Sequence, residues 1–364
     1  MKKVAIVGSH GLYADYGGFE QLVRNLVDER TANIHYVIFN PRNNPVKSVT
    51  VSNITLKKSL FKASGFEGLF FDFFSILRCF YKVDTVLMLG VQGMPIIPLL
   101  LFFRKTKVVC NSGGIEWERD KFGFFAKVFL RKCFSMSLKY ADEVILDNEH
   151  FKVFVPKNTN HKAKIRVLPY GGGIDNTLKV SLDLLGKYSF LNNRYFLSIS
   201  RSIPDNMVKE LCESFVDSGA VLVLISNLSN SQYGRKILNK YKAEKNIYLI
   251  DGLYDKPLLD LIRRKCLAYI HTHTSCGTAP SLVEMAVSKR PIISIDNPQN
   301  RFTLRNEACY FSTFNELKVR IQGFKEGSSC IVSDDVILRY SWPKIVSKYQ
   351  KILCLKSLTQ ELTV

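Results

Sequence analysis

Leu267-Ala-Tyr-Ile-His-Thr-His-Thr-Ser-Cys-Gly-Thr-Ala-Pro-Ser-Leu-Val-Glu284 reads as a strand, a polar turn and the start of a helix. The run 267–271 is short and apolar until its last residue, as in a strand buried on both faces of a parallel sheet. Gly277 and Thr278 lead into a helical pattern over 280–288, and Pro280 falls in its first turn, where proline is favoured. The same kind of run recurs on both sides. Behind it lie 195–200, 220–225 and 246–250, ahead of it 291–295, and earlier 3–7, 34–39, 84–89, 106–110 and 143–147. Helical patterns at 19–30, 207–217 and 256–265 separate them. This alternation predicts α/β architecture: two tandem Rossmann-like, doubly wound parallel-sheet domains.

The length of 364 residues suits two cores of that size. Pro169-Tyr-Gly-Gly-Gly173 punctuates the chain between the two sets of strands. The division expected is 1–173 for the first domain, 174–193 for a linker and 194–340 for the second. A helix within 341–364 can cross back to the first. Two such domains leave a cleft at the carboxyl ends of their strands, where ligands bind at the point of strand-order reversal.

Fifty-one Lys and Arg against 32 Asp and Glu give a net charge of +19, of which residues 1–180 carry 26 − 15 = +11. Such a balance fits phosphorylated ligands, anionic lipid or nucleic acid. No zinc-finger or recognition-helix pattern accompanies it, so nucleic acid is not expected as a partner. Nine cysteines, an odd number without a C-x-x-C pair, argue against a disulfide framework or a structural zinc site and fit a reducing cytoplasm. The first eight residues lack the pattern of a signal peptide. Val86–Phe103 is uncharged over 18 residues, but its glycines and prolines favour a strand, a turn and a short helix over a membrane span. Two segments, 56–82 and 121–140, interleave Lys and Arg with Phe and Leu. Each reads either as a helix lying on an anionic bilayer or as a core helix with a solvated basic face.

Three loops carry the candidate chemistry. After the first strand, Gly8 to Glu20 includes Tyr16, Gly17 and Gly18; it is not a dinucleotide fingerprint, but its glycines allow close backbone approach to a phosphate or sugar. After the strand at 195–200 comes Arg201, suited to bidentate phosphate binding. In the 271–284 stretch, the amides around Gly277, Thr278 and Ser281 can hold a diphosphate, and Glu284 can accept from a ribose diol. His271 and His273, two apart at a strand end, are expected to face opposite ways, which leaves no metal site. No Asp-x-Asp, P-loop or G-x-S-x-G occurs, so neither a divalent metal nor a cofactor is expected.

Together, 11–20, Asn111-Ser-Gly-Gly-Ile-Glu-Trp-Glu-Arg119, Tyr170-Gly-Gly172, Arg201-Ser-Ile-Pro-Asp-Asn206, Tyr233-Gly-Arg-Lys236 and 277–284 resemble the rhamnosyltransferase branch of retaining, GT-B type glycosyltransferases. The resemblance spans about residues 1–305. It implies transfer of a sugar, L-rhamnose from dTDP-rhamnose, onto a polyprenyl-diphosphate-linked glycan in O-antigen, capsule or exopolysaccharide synthesis. It also implies peripheral work on an anionic membrane surface, the cytoplasmic face of a bacterial inner membrane. The catalytic residues it implies are Arg201 and Glu116. The donor would be held by Gly17, Gly18, Arg201, Asn206, His273, Gly277, Thr278, Ser281 and Glu284, and the acceptor by Tyr16, Glu116 and Trp117. Three departures stand out. Cys276 replaces the first Glu of the wider superfamily's pair, Asn206 replaces its lysine, and Gly113-Gly114 replaces the branch's Asp-Gly. A UDP- or GDP-hexose donor, a non-catalytic nucleotide-sugar-binding subunit and a two-domain sugar-nucleotide epimerase are the competing readings.

Overall fold

The computed structural model describes residues 1–12, 14, 17–46, 48–101, 106–119, 122–157, 161–216, 218–325, 327 and 330–355. It divides into two units, one of Met1–Tyr170 with the helix Trp342–Cys354, the other of Gly171–Ser341.

The first unit is built on eight strands: β1 (Lys2–Val7), β2 (Ile34–Asn40), β3 (Val49–Val51), β4 (Ile54–Lys58), β5 (Thr85–Leu89), β6 (Lys107–Asn111), β7 (Glu143–Leu146) and β8 (Lys164–Val167). Their order is β3-β4-β2-β1-β5-β6-β7-β8, parallel throughout except for the β3–β4 hairpin at the edge. Central strands are buried on both faces, which is why they are unbroken apolar runs: Val4 to Val7 and Val86 to Leu89 are almost wholly covered. β4 and β8 lie toward the edges and mix Lys, Arg and Thr with Ile, Leu and Val, so a search for continuous apolar runs passes over them. The helix Trp342–Cys354 buries Ile345, Tyr349 and Leu353 against this sheet. Hydrogen bonds fasten it: Asn111 Nδ2 to Tyr349 Oη (2.6 Å), Lys107 Nζ to the Ile352 carbonyl (2.7 Å) and Thr85 Oγ1 to the Leu353 carbonyl (2.9 Å).

The second unit carries β9 (Phe196–Ile199), β10 (Leu222–Ser226), β11 (Ile247–Asp251), β12 (Ala268–His271), β13 (Ile292–Ile295) and β14 (Cys309–Phe311). All are parallel, in the order β11-β10-β9-β12-β13-β14. Counted within the unit this is 3-2-1-4-5-6, the doubly wound Rossmann order, with its reversal between β9 and β12. The stretch 174–193, read from sequence as a linker, belongs to this unit. It forms the helix Leu182–Lys187, and Leu184, Leu185, Tyr188, Phe190 and Leu191 pack on the core because they are apolar. Cys309 and Cys330 are joined as a disulfide, their Cα atoms 5.3 Å apart, which corrects the expectation of none. The 20 residues between them hid a pairing that only the fold brings about.

Among the described residues no helix is long and apolar enough to cross a membrane. Of Val86–Phe103, the part to residue 101 forms β5, a turn and the short helix Ile97–Leu100; 102 and 103 lie outside the described residues. The two basic, Phe-rich segments each split between core and surface. The helix Glu67–Cys79 buries Phe71 and Ile76 while exposing Phe70, Phe74 and Leu77, and Phe66 just before it is 75% exposed. The helix Phe124–Tyr140 buries Leu130, Phe134 and Leu138 and exposes Phe124 and Phe125; Phe73 and Phe129 are half-buried. Lys121 lies outside the described residues.

Candidate active site

At the reversal of the second sheet, the loops leaving β9 and β12 run side by side and are tied together. Asn206 Nδ2 donates to the Arg201 carbonyl (2.8 Å), and Thr272 Oγ1 donates to the Asn206 carbonyl (2.6 Å). Thr274 binds the Asp205 carbonyl through both its amide (3.0 Å) and its hydroxyl (2.9 Å). From the other side, Asn297 Nδ2 donates to the His273 carbonyl (3.0 Å). The Arg201 side chain is exposed on this frame. Asn206, by contrast, is 4% exposed with its amide committed to the Arg201 backbone.

Beyond β12 the helix Pro280–Val287 begins with proline and has no side-chain cap, and its first turn carries the positive end of the helix dipole. Gly277 and Thr278 are buried there and Ser281 is half-buried. Glu284 sits on the helix, 9% exposed, and one of its oxygens accepts from the Arg263 guanidinium. Arg263 is also buried and donates to Asp260 Oδ1 (2.6 Å), whose second oxygen takes Lys256 Nζ (2.6 Å) and the Asp175 amide (2.8 Å). Sequence reading missed Arg263 and Asp260. A basic cluster at a helix end, Arg263-Arg264-Lys265, looks like surface charge until the fold buries its first member.

His271 and His273 correct a sequence expectation. β12 ends at His271, so strand alternation does not extend to His273, and the two rings lie 4.2 Å apart between centroids. Cys276 comes up beside them, one donor atom from each of the three lying within 4.8 Å of the others. Burial holds the His271 imidazole neutral, pushing its pKa down to about 3.

The first unit has its own reversal, between β1 and β5. The two strand ends approach so closely that a Cβ on Gly8 (φ +88°) would lie 2.2 Å from the Leu89 carbonyl oxygen. Gly17 precedes the helix Gly18–Asp28 at φ +137°, and a Cβ there would meet Glu20 Oε2 at 1.8 Å. That carboxylate turns back to His10, accepting from its amide (2.9 Å) and lying 3.0 Å from Nδ1, which raises the His10 pKa. Beside this loop Asp72 is 3% exposed; burial pushes its carboxyl up to about 7, against a hydrogen bond from Gln92 and the charge of His10. His10, Glu20 and Asp72 were not singled out from sequence. Nothing in the spacing of 10, 20 and 72 brings them together before the sheet order does.

Tyr16 lies outside the described residues. Glu116 is half-buried and ion-paired with Arg119 (2.8 Å). Trp117 is 7% exposed and packs on Phe134 (5.0 Å between centroids) and Phe154 (6.0 Å), so its ring is part of the first unit's core. Gly113 holds φ +63°, and a Cβ would stand 3.0 Å from the Phe19 ring. The left-handed backbone and the close ring suit glycine here.

No protein-family model and no curated protein matches the chain by sequence. Solved structures do match. Sucrose-phosphate synthase from Thermosynechococcus elongatus superposes with a TM-score of 0.77 at 13% identity, over 100% of this chain and 99% of that one. The chain shares the GT-B fold. Trehalose-6-phosphate synthase from E. coli bound with UDP-2-fluoro glucose matches with TM-score 0.72 at 12% identity, over 97% and 99% of the two chains. Anabaena HepE in complex with UDP-glucose gives 0.70 at 11%, over the same shares. All three neighbours are glycosyltransferases of that fold, so the likeness extends across both units.

Proposed function

We propose that the chain is a retaining glycosyltransferase that takes a nucleotide-diphosphate sugar, with the donor held by the second unit. The observation that carries this is the pair of tied loops at the β9/β12 reversal. They join an exposed arginine, an uncapped helix start and a carboxylate oriented by a buried guanidinium. Arg201 and the amides at 277–281 would stabilise charge growing on the leaving diphosphate. Glu284, held by Arg263, would accept from the ribose. In front-face retention the diphosphate takes the acceptor proton, so no strong protein base is needed. The motif resemblance makes L-rhamnose from dTDP-rhamnose the sugar and a polyprenyl-diphosphate-linked glycan the acceptor. A second reading keeps the reaction and takes UDP-glucose, the donor in the HepE complex. A donor panel read by acceptor-dependent release of nucleoside diphosphate separates the two. With the productive donor, Arg201→Ala is expected to lower kcat/KM by about 30- to 1,000-fold, or roughly 2–4 kcal/mol. Unchanged kinetics would remove Arg201 from the site.

The acceptor proposed here is anchored in lipid, and two basic segments of the first unit expose aromatic rings that suit docking to a bilayer. Phe66, Phe70, Phe74, Phe124 and Phe125 are exposed among lysines and arginines of a domain with net charge +11. Each basic residue near an anionic bilayer contributes about 1 kcal/mol, within a Debye length of about 8 Å at physiological salt. The chain is expected to float with phosphatidylglycerol vesicles at low salt and to release at high salt. Phe124→Ser with Phe125→Ser should weaken binding at low salt. Flotation indifferent to lipid charge and salt would sink the docking model.

A further inference from the structure

We propose that His271, His273 and Cys276 form a binding site for a borderline-soft divalent ion of the zinc class, on the loop that follows β12. The donor set is two imidazoles and a thiol, which select zinc-like ions over magnesium or calcium; those need oxygen ligands. Their ligand atoms lie within 4.8 Å of one another. Tetrahedral zinc, with bonds of about 2.0–2.1 Å to nitrogen and 2.3 Å to sulfur, holds its ligand atoms roughly 3.3–3.7 Å apart. Closing the site therefore takes about an ångström of side-chain movement, within reach of rotation at half-buried Cys276.

A second observation points the same way. His271 is 1% exposed, and its Nε2 has no hydrogen-bond partner. Its Nδ1 lies 3.5 Å from Tyr269 Oη, on the side where a ligating histidine usually finds its orienting partner. A buried polar nitrogen without a partner is costly, and an ion would satisfy it. The frame is rigid where the ligands need it. Asn297 and Asn300 hold the His273 carbonyl, and Thr272 and Thr274 tie the loop to 205–206. Three protein ligands leave a fourth position open, as in zinc sites that exchange a water or a substrate oxygen.

The site goes beyond the glycosyltransferase reading, and the test keeps the two apart. The chain, with the Cys309–Cys330 disulfide intact, is titrated with Co²⁺, an absorbing stand-in for zinc. One Co²⁺ per chain is expected, with a thiolate-to-cobalt charge-transfer band that Zn²⁺ displaces. Cys276→Ser should abolish the band, and Cys354→Ser, at the other half-buried thiol, should leave it. His273→Gln should weaken Co²⁺ binding at least about tenfold. No band, or a band that survives Cys276→Ser, overturns the site. Co²⁺ binding in a chain that transfers no sugar keeps the site and removes the transferase reading. Sugar transfer without Co²⁺ binding does the reverse.

Discussion

Arg263→Met is expected to destabilise the protein by about 3–5 kcal/mol, the usual cost of removing one partner from a buried ion pair. Arg263 is 2% exposed, and it touches two carboxylates, Asp260 at 0% and Glu284 at 9%. Methionine fills most of the same volume, so little of the loss comes from a cavity. Asp260 keeps Lys256 and the Asp175 amide, which leaves Glu284 as the group that loses most. Urea unfolding of the two proteins, followed by circular dichroism, measures this. A difference below about 1 kcal/mol would mean that water reaches the cluster and that the pairing carries little. Arg263→Lys separates stability from positioning: it keeps a charge but cannot fork between two carboxylates. If Arg263 orients Glu284 toward the donor ribose, Arg263→Lys raises donor KM while kcat stays near that of the parent. A purely structural arginine would leave KM alone.

The legible parts of this fold are those where one physical signal dominates. Central parallel strands are buried on both faces, so β1, β2, β5, β6 and β9 announce themselves as apolar runs. At the sheet margins that signal fails. β4 is half-polar and β14 is only three residues long. The candidate site divides in the same way. Arg201 and 277–284 follow strands, and a residue just past a parallel strand is placed by the strand itself. Tertiary contacts decide the rest. They put the Asn206 amide on the Arg201 backbone and set Trp117 against Phe134 and Phe154, contacts that no spacing in the sequence announces. Strand alternation sets His273 opposite to His271, but His273 lies two residues past the end of β12, where alternation no longer holds.

Asp72→Asn is expected to stabilise the chain at pH 8 and to leave its stability nearly unchanged at pH 4. The Asp72 carboxyl is buried on the helix Glu67–Cys79, and its Oδ1 has no hydrogen-bond partner. Burial raises its pKa from the ordinary 3.8 to about 7. Below pH 3.8 the carboxyl is protonated in folded and unfolded chains alike and contributes no difference. As pH rises from about 4 to 7, the unfolded chain gives up the proton while the folded chain keeps it, so stability falls. Above about 7 both are ionised, and the folded chain bears the full cost of a buried carboxylate. Three units of displacement correspond to about 4 kcal/mol. Asparagine has the same shape and no charge, so it removes that cost. His10 pushes the pH dependence the same way, though its charged form is the stabilised one. Its pKa is raised by Glu20, so its contribution is present below pH 6.5 and is lost as pH climbs through the folded value. Both groups make the parent lose stability as pH rises, whereas the variant retains only the His10 part of that loss. Urea midpoints for both proteins at pH 4.5, 6 and 8 decide the matter. A gain that grows with pH is the result expected; a difference that stays flat would place the Asp72 carboxylate in water or beside an unrecognised cation.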